Sequence, residues 1–270
     1  MASKRIGFIG YGNMAQAMAT GWVNGGIVNP SDVFVMDVDR NKTEYARDTL
    51  GFFCSYTVEQ ITLMVDILVI AVKPNEYIGV INEIKAKLPK KTIVVSIAAG
   101  LTIETLERHF DKPVKLVRTM PNMPVRVGAG MTALMPNQLM TPADMELIEK
   151  LFSSFGQVGV ISEELIDAAI VTSGSAPAYV YLMIEAMIQG GMAEGMSRDV
   201  ATRFASQAVL GAAKMVLETG IEPENLCDAV CSPNGTTIEA VNYLREHDFS
   251  NTVQKAMHAC AERSREMAKK

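Results

Sequence analysis

Hydrophobic positions follow one pattern in the first part of the chain and a different one in the second. In the first part, short apolar runs alternate with segments of helical spacing. Residues 66–72 and 92–98 are almost continuously apolar, which is typical of parallel strands buried on both faces. The predicted strands are residues 5–9, 32–37, 52–56, 66–72, 92–98, 114–120, 129–135 and 158–162. Because these strands alternate with helices, the pattern predicts an α/β fold with a doubly wound parallel sheet.

Helical segments connect the predicted strands. One helix follows the first strand and runs through Trp22. A second covers residues 40–50, with Gly51 just past its end, and a third covers residues 75–88. A further helix begins at Thr141-Pro142, an N-cap threonine followed by a proline at the first helical position.

After about Glu163 the strand pattern ends and only helical spacing remains. The predicted helices are residues 163–172, 177–196, 199–219, 223–231, 236–246 and 251–269. Several are apolar on more than one face, as in YVYLMIEAMIQ (179–189), and such a helix must be buried by something. A six-helix unit of this size is too small for that, so the pattern predicts a partner subunit. We therefore divide the chain into residues 1–162, with the sheet, and an all-helical domain, residues 163–270.

Composition limits the partners of the chain. Of its 270 residues 49% are hydrophobic, and the formal net charge is −5. The charged residues are scattered along the chain, with no basic cluster longer than Lys269-Lys270. This distribution indicates binding neither to nucleic acid nor to an anionic membrane. Residues 176–193 have about the length of a membrane span, but they contain Glu185, Gln189 and a pair of glycines. We expect a buried helix of a soluble protein there.

The N-terminus and the cysteines indicate the cellular compartment. The sequence MASKRIGFIG lacks the apolar core of a signal peptide. The four cysteines, at positions 54, 227, 231 and 260, have the spacing neither of a disulfide framework nor of a metal site. We therefore expect a cytoplasmic protein without a bound metal.

A glycine-rich turn follows the first predicted strand and opens a helix. Gly10 and Gly12 belong to a G-x-G-x-x-A pattern, in which Asn13 and Met14 separate the second glycine from Ala15. Gly10 permits a tight turn, and Gly12 lets the backbone approach a pyrophosphate at the helix N-terminus. Ala15 allows the helix to pack closely on the strand. In this context the pattern predicts a dinucleotide site, as in a Rossmann domain.

Two further segments belong to the predicted cofactor site. Asp37, at the end of the second strand, stands where a carboxylate binds the adenosine ribose and repels a 2′-phosphate, which slightly favours NADH. Arg40 would instead bind such a phosphate, so NADPH stays open. Ala71, Val72, Lys73 and Pro74 lie at the carboxyl end of a central strand, where doubly wound folds hold their ligands. Lys73 is either catalytic or a surface lysine beside the cofactor.

Residues 231–240, CSPNGTTIEA, place a Ser-Pro-Asn-Gly turn before a predicted helix. Thr236 and Glu239 match a capping box, in which the threonine caps the helix and the glutamate reaches back to it. Gly235 would let a carboxylate approach the N–H groups of the first helical turn, and Thr237 can direct a hydroxyl at the same ligand. Two interpretations remain open on the residues alone: an anion site with a hydroxyl donor, or an ordinary capped helix.

Residues 226–244, LCDAVCSPNGTTIEAVNYL, resemble the signature of Δ1-pyrroline-5-carboxylate reductases, which catalyse the last step of proline synthesis. The resemblance runs the whole length of the chain, with its blocks in the expected order. The other blocks are GFIGYGNMA (7–15), AVKP (71–74), VVSIAAG (94–100), RTMPNMP (118–124) and SGSAPAYVY (173–181). Several independent blocks are far more specific than the glycine pattern alone.

The resemblance implies an NAD(P)H-binding Rossmann domain followed by an all-helical dimerisation domain, whose homodimers often assemble into a decamer, a pentamer of dimers. It implies that backbone N–H groups of the loop from Ser232 to Thr237, largely those of Gly235 and Thr236, hold the carboxylate of a cyclic imine substrate. The Thr237 hydroxyl would hydrogen-bond the ring nitrogen. The site would lie between one subunit's Rossmann domain and helices of the dimer.

Two departures from the family pattern matter. Relatives commonly have Gly-Gly where this chain has Asn234-Gly235, so the loop changes but keeps its second glycine. Many relatives have Ser, or an Asn-Arg-Ser run, where this chain has Asp37-Val-Asp-Arg40 after the second strand. The usual preference of the family for NADPH therefore does not transfer directly.

The expected reaction is hydride transfer from nicotinamide C4 to C5 of the cyclic imine, which gives L-proline. Thr237 is the candidate catalytic residue, and it would orient the ring nitrogen, since its hydroxyl is too weak an acid for general acid catalysis. One alternative is a β-hydroxyacid dehydrogenase with Lys214 as base, although no motif of that family surrounds it. The other is a non-catalytic NAD(H) sensor, which would bind a partner and need no anion loop.

Overall fold

The computed structural model describes residues 4–55 and 57–268. Position 56, the predicted end of the third strand, and Lys269-Lys270 lie outside these residues. Eight strands form one sheet in the order β3-β2-β1-β4-β5-β6-β7-β8. They are β1 (Ile6–Ile9), β2 (Val33–Met36), β3 (Phe53–Cys54), β4 (Ile67–Ile70), β5 (Ile93–Ser96), β6 (Lys115–Pro121), β7 (Gly130–Pro136) and β8 (Gly156–Val160). The chain order reverses between β1 and β4, which is the switch point of a doubly wound sheet.

The described residues contain twelve α-helices, several of them joined by short 3₁₀ turns. They are α1 (Asn13–Asn24), α2 (Arg40–Leu50), α3 (Val58–Met64), α4 (Tyr77–Ile84), α5 (Ile103–Phe110), α6 (Pro142–Ser153), α7 (Ile166–Ala169), α8 (Ala176–Ala193), α9 (Arg198–Thr219), α10 (Pro223–Val230), α11 (Thr236–Glu246) and α12 (Phe249–Ala268). A π-helical turn, Ile170–Gly174, joins α7 to α8.

Helices cover both faces of the sheet, as the sequence predicts. On one face, Phe8 and Val69 pack in a core with Trp22 of α1 and with residues of α6. On the other face, Leu68 and Val94 pack with residues of α3, α4 and α5. Because successive side chains of a strand point to opposite faces, the continuously apolar strands supply both cores at once.

The predicted doubly wound parallel sheet is confirmed, but it contains one antiparallel pair towards one edge. The strands from β3 to β6 pair in parallel, but β7 runs antiparallel to β6, with Arg118 opposite Met135. The connection between β6 and β7 contains only the 3₁₀ turn Met123–Val127. A parallel pairing would require a long crossover, so this short connection returns the chain alongside β6 in the opposite direction. β8 then pairs in parallel with β7.

Several predicted helices match the structure. α2 and α11 have the predicted bounds, and Gly51 ends α2 with a left-handed φ of 72°. Thr141 begins α6 in a full capping box with Asp144. The predicted helix 75–88 is shorter, because the 3₁₀ turn Pro74–Glu76 precedes α4, which ends at Ile84.

The helices α3 and α5 are not predicted by the hydrophobic pattern. Each begins after a threonine whose hydroxyl accepts an N–H of the first turn: Thr57 accepts from Gln60 and Thr102 accepts from Thr105. Both helices have at most eight residues, which is too short to establish a helical period in the sequence. The predicted helix 163–172 is instead a 3₁₀ turn, α7 and the start of the π-helical turn.

The chain divides into two compact units, one up to Ser175 together with the residues from Ala261 onward, and the other Ala176–Cys260. The first unit therefore extends beyond residue 162, where the sequence predicted the boundary, and also contains the residues from Ala261 onward, which the prediction assigned to the helical domain. Buried polar contacts account for this position, because Glu163 Oε1 lies 2.7 Å from Arg118 Nη1 and 2.8 Å from the N–H of Ile103. Arg118 is a buried residue of β6, and its ion pair with Glu163 attaches the chain at Glu163 to the sheet of the first unit.

The second unit buries few of its apolar side chains. Its buried cluster consists of Ile188, Ala201 and Ala205, and Ile188 is the one buried residue of α8. Leu182 of α8 is 74% exposed and Leu217 of α9 is 78% exposed. Faces of this kind require a covering partner in water, as the hydrophobic pattern predicts.

One helical stretch of the described residues, Glu163–Ala193, is long and apolar enough to cross a membrane by length and composition alone. The mean hydropathy over an 18-residue window of this stretch is 1.2, and the stretch contains the short helical turns described above as well as α8. The same composition suits a helix covered by another protein surface.

Candidate active site

The glycine-rich turn lies at the carboxyl end of β1, beside the end of β4. Gly10 has a left-handed φ of 88°, and a Cβ atom on it would stand 2.7 Å from the carbonyl oxygen of Ala71. Its N–H donates to the carbonyl of Met36 at the end of β2. Glycine is therefore required at this position both by the backbone conformation and by the lack of space.

Gly12 is the N-cap residue of α1, and, unlike Gly10, it has space around its Cα and an ordinary backbone conformation. Its φ of −79° suits any residue, and a Cβ atom there would meet no other group within 4 Å. No side chain caps α1, so the first N–H groups of the helix, including those of Asn13 and Met14, are available to a ligand. Ala15 is buried against the sheet. These features fit a dinucleotide pyrophosphate at the helix N-terminus.

Asp37 lies beside this turn, but its carboxylate is already engaged by the protein. Oδ2 accepts the N–H of Tyr11 at 2.6 Å, and Oδ1 accepts the N–H of Asp39 at 2.8 Å. Lys42 Nζ lies 3.4 Å from Oδ2, and the Asp37 side chain is only 8% exposed. The carboxylate thus holds the glycine-rich turn to the loop after β2. Its predicted contact with a ribose stays a prediction.

Arg40 is the first residue of α2 and is exposed. Lys42, which the sequence analysis did not consider, stands on the same first turn and partly neutralises Asp37. Two cations, Arg40 and Lys42, and two carboxylates, Asp37 and Asp39, therefore belong to the loop after β2 and the first turn of α2, where a Rossmann domain reads the adenosine ribose. Lys42 gave no sequence signal, since only the fold shows that it pairs with Asp37.

The segment after β4 lies next to the glycine-rich turn. Ala71 receives the close approach of Gly10, and its N–H donates to the carbonyl of Ile9 at 2.7 Å. Val72 is half-buried, whereas Lys73 and Pro74 are exposed. The structure therefore brings Ala71 to the predicted cofactor site, while the role of Lys73 stays open.

The predicted substrate loop lies in the second unit. The N–H of Gly235 donates to the carbonyl of Ser232 at 3.0 Å, which closes a four-residue turn. Asn234 has a left-handed φ of 59°. Proline at the second position and Asn or Gly with positive φ at the third are typical of a type II turn. Asparagine tolerates this conformation better than most residues, which explains how it replaces the first glycine of the family pattern.

The capping box predicted at Thr236 is wrong. The N-cap of α11 is Gly235, with φ −82° and ψ 170°, so Thr236 is already helical and its hydroxyl does not cap the helix. A Cβ atom at Gly235 would meet Ser232 Oγ and lie 3.1 Å from the Ser232 carbonyl oxygen, so a larger residue here would displace the serine hydroxyl. The first N–H groups of α11 consequently have no side-chain cap and are available to an anion.

Thr237 is the second residue of α11 and is half-buried. Its hydroxyl has no hydrogen-bond partner among residues 4–55 and 57–268. Ser232 and Thr236 are exposed on the same loop. The loop therefore offers uncapped backbone donors and a hydroxyl within one helical turn, which suits a ligand with a carboxylate and a second polar atom.

Other candidate groups do not form a site. Within the described part of the chain, no three His, Cys, Asp or Glu side chains are close enough to hold a metal ion. Lys214 is 65% exposed and pairs with Glu218 of its own helix at 3.5 Å. An exposed lysine in a surface ion pair lacks the burial that would make it a general base at neutral pH.

Comparisons with known proteins match both parts of the chain. A family model described as pyrroline-5-carboxylate reductase dimerisation matches residues 163–267. A second model, described as NADP oxidoreductase, coenzyme F420-dependent, matches residues 5–100. The chain is 44% identical over 266 residues to the pyrroline-5-carboxylate reductase of Escherichia coli strain K12. The aligned region covers 98% of this chain and 99% of the relative.

Solved structures are similar over the whole chain. A pyrroline-5-carboxylate reductase from Coxiella burnetii is 32% identical, with a TM-score of 0.92 and coverage of 99% of this chain and 100% of the other. The pyrroline carboxylate reductase of Plasmodium falciparum, solved with NADP bound, is also 32% identical, with a TM-score of 0.89 and coverage of 99% of each chain.

Two glycine variants should separate folding from cofactor binding. We expect Gly12→Ala to leave the melting temperature within about 2 °C of the wild type, because its methyl group meets no neighbour. The same methyl group occupies the approach to the α1 N-terminus, so NADH and NADPH should bind at least about tenfold more weakly. Calorimetric titration and thermal unfolding measure the two quantities.

Gly10→Ala is the matched variant. It adds the same methyl group against the Ala71 carbonyl at a left-handed φ, so it should lower the melting temperature by several degrees. Unchanged nucleotide affinity in Gly12→Ala would show that the cofactor does not approach α1 at this residue.

Proposed function

Because the chain belongs to the pyrroline-5-carboxylate reductase family, we propose that it reduces Δ1-pyrroline-5-carboxylate to L-proline with a nicotinamide cofactor, as the final step of proline biosynthesis. The observation that carries the proposal is the loop before α11, whose turn leaves the N–H groups of the first helical turn uncapped. A carboxylate-bearing substrate suits this loop, and the open N-terminus of α1 suits the cofactor pyrophosphate.

The chain's own residues would bind and orient the substrate. The backbone N–H of Thr236 and of the residues that follow it in the first turn would hold the carboxylate near the positive end of α11, whereas the N–H of Gly235 already donates to the carbonyl of Ser232. The Thr237 hydroxyl would hydrogen-bond the ring nitrogen and so fix the face that C5 presents. Protonation of that nitrogen, from a bound water or the medium, makes C5 a better hydride acceptor. The bound cofactor supplies the hydride.

The cofactor site accommodates either nicotinamide dinucleotide. Residues of the turn, Gly10 to Met14, and of the segment Ala71–Pro74 would line it. The charge of Asp37 opposes a 2′-phosphate and slightly favours NADH, whereas the exposed Arg40 attracts one. Lys42 reduces the negative charge at Asp37, so the preference for NADH should be small.

We propose that the active form is a homodimer built by residues 163–270, with residues 1–162 as the nucleotide domain. The match of the dimerisation family to residues 163–267 and the exposed apolar faces of α8 and α9 support this assignment. The family resemblance alone supports further assembly into a pentamer of dimers. The four free cysteines among the described residues suit a reducing cytoplasm.

The first test is turnover. Purified protein mixed with pyrroline-5-carboxylate should consume NADH and NADPH, followed at the nicotinamide absorbance, with proline formed in equal amount. The two cofactors should differ by less than about tenfold in kcat/KM, because the negative charges of Asp37 and Asp39 and the positive charges of Arg40 and Lys42 partly cancel. Binding of NADH without turnover would favour the sensor alternative.

Thr237→Ala tests the role of the hydroxyl. It should lower kcat/KM for the imine by about tenfold to a few hundredfold, as expected for one lost hydrogen bond at the reacting centre. Thr237→Ser retains the hydroxyl and should keep most of the activity, and Thr202→Ala in α9 controls for loss of a helical threonine. Wild-type kinetics in Thr237→Ala would remove this residue from the mechanism.

Leu182→Glu tests the assembly. A charge on this exposed apolar face of α8 should dissociate the dimer, because an unpaired carboxylate would be buried at the interface. Light scattering should then report a mass near 29.3 kDa, with activity lost. Retained NADH binding would show that the nucleotide unit is intact. A variant that stays dimeric would place the interface on another face.

A further inference from the structure

Tyr77, the first residue of α4, is fully buried, and its hydroxyl is saturated with hydrogen bonds. The hydroxyl donates to the carbonyl oxygen of Ile70. It accepts the N–H of Ile97 at 3.1 Å and the Ser96 hydroxyl at 3.2 Å. A phenol has one proton and two lone pairs, so every hydrogen-bonding site of this oxygen is in use.

These contacts lie where β4 and β5 diverge. Ile70 and Ser96 are the last paired residues of the two strands. One residue further, the N–H of Ile97 stands 3.5 Å from the carbonyl of Ile70, at the outer limit of a hydrogen bond. The Tyr77 oxygen fills the widening gap and bonds to both groups. It therefore adds a two-bond bridge beside a long strand-to-strand hydrogen bond.

The bridge extends sideways through Ser96. The Ser96 hydroxyl accepts the N–H of Ala98 at 3.4 Å, and the Ser96 carbonyl accepts the Thr119 hydroxyl of β6 at 3.2 Å. The donors from Ala98 through Ser96 and Tyr77 to Ile70 all point in one direction. Such chains polarise one another, which strengthens each bond in a buried setting.

The two backbone segments joined by the bridge border the predicted cofactor crevice. Ala71, which Gly10 approaches closely, directly follows Ile70. Doubly wound sheets bind a dinucleotide across the carboxyl ends of the strands at the switch point, which here lies between β1 and β4. With the adenosine half beside the loop after β2, the nicotinamide half extends over β4 and β5.

We propose that Tyr77 is a positioning residue for the nicotinamide half of the cofactor, because its hydroxyl fixes the spacing between the segments after β4 and β5. The inference rests on the proposed nicotinamide cofactor. A role as core filler alone does not require this oxygen, since phenylalanine would fill the same volume without a polar group to satisfy. Tyr11 shows the contrast, because its buried hydroxyl has no hydrogen-bond partner among the described residues.

The test is Tyr77→Phe, which removes only the bridging oxygen. Binding of NADH and of NADPH, measured by calorimetry, should weaken about tenfold, because Ile70 and Ile97 lose the bridge that sets their separation. Affinity for ADP-ribose, which lacks the nicotinamide ring, should stay within about twofold of the wild type. In the enzyme assay, KM for the cofactor should rise while KM for the imine stays constant.

Thr92→Val is the matched control. Thr92 is buried at the amino end of β5, and its hydroxyl donates to the carbonyl of Val65 at 3.3 Å, at the opposite end of the same strands. Thr92→Val should lower the melting temperature about as much as Tyr77→Phe does, without changing the affinity for NADH. Ser96→Ala should weaken NADH binding less than Tyr77→Phe does. In the double variant the two effects on binding should not add, because both residues belong to one bridge.

Two results would overturn the proposal. Tyr77→Phe with wild-type affinity for NADH would show that the bridge serves stability alone. Equal weakening of NADH and ADP-ribose would indicate general loosening of the first unit. Because the measurement is binding, it is independent of turnover. A wild-type protein that binds NADH but does not reduce the imine would end the proposed function and leave the role of Tyr77 standing.

Discussion

The close approach of Gly10 to Ala71 is the constraint on which the nucleotide unit depends. Two backbone segments from neighbouring strands meet there with no room for a Cβ atom, so the chain must turn at that residue with a left-handed φ. The turn delivers Gly12 to the N-cap of α1 and leaves the Tyr11 N–H directed at Asp37. One packing constraint therefore sets both the open helix N-terminus and the carboxylate beside it.

The two candidate sites use the same physical device. In each, a glycine N-cap follows a tight turn, and the first helical N–H groups have no side-chain partner. An anion is attracted by these donors and by the helix dipole. The difference lies at the next residues: Ala15 of α1 is buried on the sheet, whereas Thr237 of α11 retains an unpartnered hydroxyl among the described residues. The first arrangement suits a pyrophosphate and the second a substrate with a further polar atom.

The helical unit has too small a core to be stable in isolation. Ile188, Ala201 and Ala205 are its buried cluster, while Leu182 and Leu217 are largely exposed. Most of the apolar surface available for stabilisation therefore lies on its outside. A unit of this kind gains stability by association, so its folding and the integrity of the loop before α11 should depend on protein concentration.

The sequence by itself determined the features that depend on neighbouring residues. The glycine pattern at Gly10 and Gly12, the left-handed end of α2 at Gly51 and the start of α11 could all be read from local turn chemistry and periodicity. Only the tertiary structure decided the antiparallel edge strand β7, the engagement of Asp37 by Tyr11, and the bridge at Tyr77. Each of these joins groups that are distant in the sequence or that are brought together by strand pairing. The identity of the residues does not show whether such distant groups are in contact. The loop before α11 shows both contributions: its residues predicted an anion site, but the structure shows that Gly235, which has no side chain to cap the helix, is the N-cap residue.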